Sequence, residues 1–186
     1  MRTIESHPSL PFARSYWVQP GRLLAGFLPG DRDPGVAAHK LGALLDLGIG
    51  HVINLMEPAE RDHGGRIFDD YVPVLRRVTA ERGAHVTWQR RPIHDLGTPT
   101  PAAMQATLDA VDAGLASERG VYIHCWGGRG RTGTVVGCWL MRHGLAHSSS
   151  VLAHLATLTG QARPHFPDVP ETLRQKQFVQ TWRFGL

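Results

Sequence analysis

His124-Cys125-Trp126-Gly127-Gly128-Arg129-Gly130-Arg131-Thr132-Gly133 is the stretch on which the reading of this chain turns. Before it lies Val121-Tyr122-Ile123, which reads as a buried strand ending at His124, and after it a helix is expected from about Arg131 to Arg142. A thiol therefore stands at the carboxyl end of a strand. Residues 126–130 include three glycines, so the backbone can take positive φ and turn its N–H groups inward. The following helix adds its unpaired N–H groups and the positive end of its dipole. Together these make a cradle for an anion the size of phosphate. Arg131, six positions after Cys125, supplies a planar fork for two phosphate oxygens. An arginine at a helix start is unfavourable against the dipole unless an anion is present. The same positive field favours a thiolate: a free cysteine titrates near ~8.5, and such surroundings lower that by a few units. The expected result is a nucleophile on the floor of a phosphate pocket, set against the plainer reading of Cys125 as an inert core thiol.

On either side of this stretch, strands alternate with helices. Arg22–Ala25 reads as a short edge strand after a Pro20-Gly21 turn. Asp33-Pro34 reads as a helix start, with Ala37, Leu41, Leu44 and Leu45 at helical spacing and Gly48 as the stop. A strand is expected over 51–55, a polar loop over 56–66, and partial helix within 67–82. Val86–Ile93 reads as a strand leading into His94-Asp95-Leu96-Gly97-Thr98-Pro99, and Thr100-Pro101 starts a helix carrying Met104, Leu108, Val111 and Leu115. Further helices are expected from Ser148 and from Pro170 or Glu171 to Trp182. The fold class that follows is α/β: a central, mostly parallel sheet of four to five strands flanked by helices. Residues 1–15 read as an N-terminal arm and 16–186 as a single catalytic domain. In such sheets ligands sit beyond the carboxyl ends of the strands, so the loops 94–99 and 125–131 are expected to face each other over one crevice.

Composition sets the limits. The chain has 186 residues, 42% hydrophobic and 19% charged, which suits one globular domain. The net charge of +4 comes from 18 Arg and two Lys against 16 acidic residues. Arg favours bidentate contact with phosphate or carboxylate. The pairs Arg76-Arg77 and Arg90-Arg91 are too few, and too free of interleaved aromatics, for a nucleic-acid surface, so no nucleic-acid partner is expected. The longest apolar run, Val135–Met141, is far short of a membrane span. The opening Met-Arg-Thr-Ile-Glu has no apolar signal region, and Cys125 and Cys138 form no disulfide framework, so the expected setting is the cytoplasm. His143 and His147 are four apart, but Gly144 breaks the helix between them; no metal and no cofactor are expected.

The run His124-Cys125-x5-Arg131-Thr132 resembles the His-Cys-x5-Arg-Thr signature of the cysteine-dependent protein phosphatases. Pro92 to Pro99 resembles the general-acid loop of their compact dual-specificity branch, and the resemblance in element order extends over residues 16–182. It implies that Cys125 attacks phosphorus and forms a cysteinyl-phosphate, and that Asp95 protonates the leaving oxygen and then deprotonates water. It implies that Arg131 and the N–H groups of Trp126, Gly127, Gly128, Arg129, Gly130 and Arg131 hold the equatorial oxygens, and that Thr132 bonds the sulfur. Read from the residues alone, Asp95 is also a plausible turn residue before Thr98-Pro99. His124 reads as a buried brace that tunes Cys125 or as a chemical actor. Trp126 and Arg129 either shape the mouth or lie exposed. Gln175 matches a water-orienting glutamine of some relatives, or is an exposed helix residue. Glu57 and Glu60 read as solvated loop charges.

The activity expected is hydrolysis of phosphomonoesters on tyrosine and serine/threonine of proteins. A phosphoinositide or inositol-phosphate phosphatase is the second reading, because Arg129 is a second cation inside the loop; Trp126 stands where lipid-directed relatives carry another basic residue. A non-catalytic phosphate-binding module is the third. A phosphorylated protein or a phosphorylated lipid or inositol is thus the expected partner, and a phosphate or sulfate ion is expected to fit the Cys125 loop.

Overall fold

The computed structural model describes residues 9–162 and 168–186. β1 (Ser15–Gln19) and β2 (Leu23–Gly26) pair antiparallel around the Pro20-Gly21 turn. α1 (Pro34–Asp46) starts as its residue types require: Asp33 Oδ1 accepts from the N–H groups of Gly35 and Val36, at 2.7 and 3.3 Å, with Pro34 in the first turn. β3 (Ile49–Asn54), α2 (Val72–Glu81) and β4 (Thr87–Arg90) follow. α3 (Pro101–Ala116) is capped by the Thr100 hydroxyl, which accepts from Ala103 N–H at 3.2 Å. Next come β5 (Gly120–His124), α4 (Gly130–Arg142), α5 (Val151–Thr159) and α6 (Leu173–Thr181).

The sheet has five strands in the order β1-β2-β5-β3-β4, parallel except for β1. β5 is buried along its whole length because both faces are covered. One face packs Ile53, Val121 and Ile123 against Leu108 of α3, Val135 of α4, Leu155 of α5 and Val179 of α6. The other packs Leu24, Val52 and Tyr122 against Leu41 and Leu44 of α1 and Leu75 of α2.

Several boundaries differ from the sequence reading. The strand expected at an edge, β2, lies between β1 and β5; β1 is the edge, and its Tyr16 and Trp17 are buried, so the strand shows little alternation. β4 stops at Arg90, because Pro92 has no N–H to give, although Arg91 and Ile93 still donate to Asn54 and Leu55 carbonyls at 2.8 and 3.0 Å. α5 begins at Val151 rather than Ser148. α6 begins at Leu173 rather than Pro170 or Glu171, where Thr172 and Gln175 close a capping box. Residues 1–8 of the expected arm lie outside the described residues, while Phe12 stacks edge-on against Phe27 and Tyr122.

One difference bears on the site. β4 and β5 are successive in sequence, but the sheet places β3 between them. The chain leaving β3 therefore rises between the loops that leave β4 and β5. Leu55 N–H fixes its start by donating to His124 C=O at 2.8 Å.

His124 sits at the centre of a buried relay. Its Nδ1 lies 3.2 Å from the Cys125 carbonyl, which can only accept, so Nδ1 carries the proton. Nε2 then accepts from Tyr71 O–H at 2.6 Å, and Tyr71 Oη accepts from Trp88 Nε1–H at 2.8 Å. β4, α2 and β5 are tied by this chain. Burial of the ring pulls the His124 pKa from 6.5 down to about 3, keeping it neutral. The unfolded chain binds a proton there below pH 6.5 that the folded chain refuses until about pH 3. Stability from this residue is therefore present above pH 6.5 and falls as pH drops, by up to about 1.4 kcal/mol per pH unit. Urea unfolding between pH 7 and 5 should show this slope, and His124→Asn should flatten it; an equal slope in the variant would refute the assignment.

Candidate active site

Cys125 follows β5 directly and is 2% exposed. The loop after it wraps over the end of β2. Gly128 has φ +74, and a β-carbon there would collide with the Gly26 backbone, so only glycine fits. That close approach lets Gly128 N–H donate to Cys125 Sγ at 3.3 Å. Leu28 N–H donates to Trp126 C=O at 3.1 Å. Thr132 Oγ1 donates to Gly26 C=O at 3.4 Å, so this hydroxyl ties the start of α4 to the end of β2.

Arg131, in the first turn of α4, is 1% exposed, and its guanidinium is surrounded by named partners. Nη1 donates to Glu60 Oε2 at 2.6 Å and to Ile93 C=O at 3.3 Å; Nη2 donates to Glu60 Oε1 at 2.8 Å. Nη2 also pairs with Asp95 Oδ1 at 2.9 Å. Nε is buried with no hydrogen-bond partner among the described residues. Glu60 thus grips one edge of the fork, and the Nε–Nη2 edge is left with a single contact, from Asp95. Burial alone would lower the Arg131 pKa, but the Glu60 hydrogen bonds outweigh it and hold the group above its ordinary value.

Glu60 is the residue the sequence reading missed. It was expected to be a solvated loop charge, yet its side chain is 9% exposed and carries the bidentate pair. The same loop is clasped by further contacts. Glu57 N–H donates to Glu60 Oε2 at 3.0 Å, and Glu57 Oε2 meets His94 Nδ1 at 2.9 Å. Arg90 Nη1 donates to the Met56 and Glu57 carbonyls, both at 3.0 Å.

Asp95 is 42% exposed on its side chain, at a turn closed by Gly97 N–H donating to His94 C=O at 2.9 Å. The turn role and the contact with Arg131 therefore coexist. Gln175, read either as a water-orienting glutamine or as an exposed helix residue, is fully buried, which excludes the second reading. Its Nε2 donates to Gly97 C=O at 3.0 Å and its Oε1 accepts from Thr172 N–H at 3.1 Å, so α6 holds the Asp95 loop. Its amide also lies against Gly130, where a β-carbon would stand 3.1 Å away. Trp126 is half-buried under the loop after β3, with ring centroids 4.4 Å from His63 and 5.1 Å from Phe68. Arg129 pairs with Glu171, Nη2 to Oε1, at 2.6 Å. Gly127 accepts on its carbonyl from Arg14 Nη2 at 3.5 Å. The structure thus brings Cys125, Arg131, Asp95, the loop 126–130, His124 and Gln175 to one end of the sheet, and adds Glu60, Glu57 and Glu171.

Cys138 lies inside α4, fully buried, and burial pushes its thiol pKa up. Among the described residues no group of three His, Cys, Asp or Glu side chains is placed to hold a metal ion. His143 Nε2 instead bonds Asp112 at 2.9 Å. Among the described residues, no helix is long and apolar enough to cross a membrane.

Solved structures share this architecture. The kinase associated phosphatase matches with a TM-score of 0.66 and 20% identity, over 92% of this chain and 93% of that one. PTPMT1 in complex with PI(5)P matches with 0.65 and 17%, over 91% and 94%. TpbA of P. aeruginosa matches with 0.64 and 18%, over 94% and 88%. In sequence, the uncharacterized protein MJ0215 of Methanocaldococcus jannaschii is 39% identical over 54 residues, 29% of this chain. That match spans about a third (34%) of the relative's length. A family model described as "Polymorphic toxin system, DSP-PTPase phosphatase" matches residues 30–145, from the turn before α1 to just past α4. With more than half of its length matched and its Cys loop inside the match, the chain belongs to this phosphatase family, within the cysteine-dependent phosphatase superfamily.

Proposed function

We propose that the chain hydrolyses phosphomonoesters on tyrosine and serine/threonine of proteins through a cysteinyl-phosphate. The observation that carries this reading is the Arg131 fork, buried beside Cys125 with one edge clamped by Glu60 and an unpartnered Nε on the other. A buried guanidinium with an unsatisfied donor is poised for an oxyanion, and phosphate oxygens match its Nε–Nη2 spacing.

In the first step the Cys125 thiolate attacks phosphorus in line. The S–P bond forms as the P–O bond to the leaving alcohol breaks, and Asp95 gives its proton to that oxygen. In the second, water attacks phosphorus while the Asp95 carboxylate takes its proton. The S–P bond breaks, releasing phosphate and restoring the thiolate. Arg131 and the loop N–H groups stabilise the equatorial oxygens as their charge redistributes. Glu60 is a positioning residue: it fixes the plane of the guanidinium and leaves one edge for substrate.

A phosphoinositide or inositol phosphate is the second reading. Arg129 as a second cation in the loop is the sequence feature behind it, and the fold likeness to PTPMT1, a protein solved with PI(5)P, favours it. We also propose residues 16–186 as one catalytic unit and the cytoplasm as its setting.

Cys125→Ser should lower turnover of an aryl phosphate by about 10⁴-fold or more while calorimetry still registers phosphate binding. Full activity in that variant would refute the mechanism. Asp95→Asn should cost about a hundredfold to a thousandfold in kcat on alkyl phosphates and much less on activated aryl esters. Glu60→Gln should lower kcat/KM by roughly 10- to 100-fold through a misaligned Arg131, with weaker phosphate affinity and a retained fold by circular dichroism. Unaltered phosphate affinity there would remove Glu60 from its positioning role.

A further inference from the structure

Two arginines stand in the Cys loop, and they are held differently. Arg131 keeps an edge toward the cradle. Arg129 does not: its Nη2 is taken at 2.6 Å by Oε1 of Glu171, in the segment ahead of α6. The other oxygen of Glu171 rests against the loop backbone, 3.2 Å from where a β-carbon on Gly130 would stand. Both side chains are about one-third exposed, at 29% for Arg129 and 35% for Glu171, so the pair sits at the rim and not in the core. Among the described residues, Arg129 Nε is buried without a hydrogen-bond partner.

We propose that Glu171 is a specificity-determining residue: by neutralising Arg129 it confines the site to substrates with one phosphate and disfavours those with a second phosphate next to the first. The inference rests on the phosphatase reading above and deepens it by naming the substrate class. A loop with two free arginines would draw a vicinal bisphosphate, one phosphate on each fork. Here the second phosphate must displace a carboxylate already in place and then lie beside it as a like charge. A monophosphate engages Arg131 and the loop N–H groups without disturbing the pair. The likeness of Arg129 to a lipid-reading cation is thereby cancelled within this chain, by a residue 42 positions away in sequence.

The test is the ratio of kcat/KM for a soluble vicinal inositol bisphosphate over that for a phosphotyrosine peptide. The ratio should be low in the native chain and rise about tenfold in Glu171→Gln, as expected when a like charge is removed and an Arg freed. Adding Arg129→Gln to that variant should cancel the rise. Arg129→Gln alone leaves the Glu171 charge unopposed, so it should lower the ratio further; this arm does not depend on the first variant folding. A ratio in Glu171→Gln within twofold of native, or a rise in Arg129→Gln, would overturn the assignment. The two readings fail separately. If neither substrate is turned over, the phosphatase reading falls; affinities measured in the Cys125→Ser background still report the ratio. If turnover is present and the ratio does not respond, only the role of Glu171 falls.

Discussion

The bidentate pair between Arg131 and Glu60 is the constraint on which the rest of the site depends. Removing a guanidinium from water costs several kcal/mol after relaxation, and an unpaired one would not be tolerated at 1% exposure. Glu60 meets two of the donors and the Ile93 carbonyl a third contact. To deliver that carboxylate, the loop after β3 must rise over the end of the sheet and stay there. Arg90, holding the Met56 and Glu57 carbonyls, and His94, meeting Glu57, keep it in place. A polar loop that could have been left to solvent is instead tied down at four points, because the charge beneath it requires a fixed counter-charge.

A second constraint is contact between backbones. The Cys loop lies on the end of β2 so closely that Gly128 has no room for a side chain. Gly133 is equally crowded, by Val169 ahead of α6. Small residues thus occupy the places where the loop and the start of α4 meet the sheet and the C-terminal segment. The same closeness sets the N–H of Gly128 on the Cys125 sulfur and the Thr132 hydroxyl on Gly26. His124 completes the support from below, neutral and locked between Tyr71 and the Cys125 carbonyl. The Cys125 sulfur and backbone are therefore met by groups that carry no net charge.

What the sequence disclosed was what local pattern can encode. Asp33-Pro34 and Thr100-Pro101 announce helix starts because a cap and a first-turn proline are neighbours in the chain. The run from His124 to Thr132 announces a loop because its glycines and its thiol are contiguous. Glu60 was not legible for the opposite reason. Its partner is 71 residues distant, and the same loop offers Glu57, Asp62 and others at similar spacing. Only the order β5-β3-β4 decides which of them reaches Arg131, and that order is a property of the sheet. The burial of Gln175 was hidden similarly: a polar residue in the first turn of a short helix usually faces solvent. Here that turn faces Gly97 and Gly130. β2 was mistaken for an edge because the true edge strand, β1, carries Tyr16 and Trp17 inward and so lacks the alternation that marks a strand half in water.

Charge at the mouth follows an exchange. The excess of +4 over the whole chain says little about the pocket, where Arg131 already touches Glu60 and Asp95, and Arg129 already touches Glu171. A phosphate arriving at the Nε–Nη2 edge of Arg131 competes with one of these carboxylates, Asp95, and leaves Glu60 where it is. In the proposed cycle the group displaced is the group next required: Asp95, moved off the guanidinium and open to solvent, takes up a proton that it then gives to the leaving oxygen. The more exposed carboxylate, 42% against 9%, is the one that yields, since water compensates its lost ion pair while Glu60 has no such recourse. In the proposed cycle, the difference in burial between two carboxylates on one arginine gives one of them a structural part and the other a chemical one.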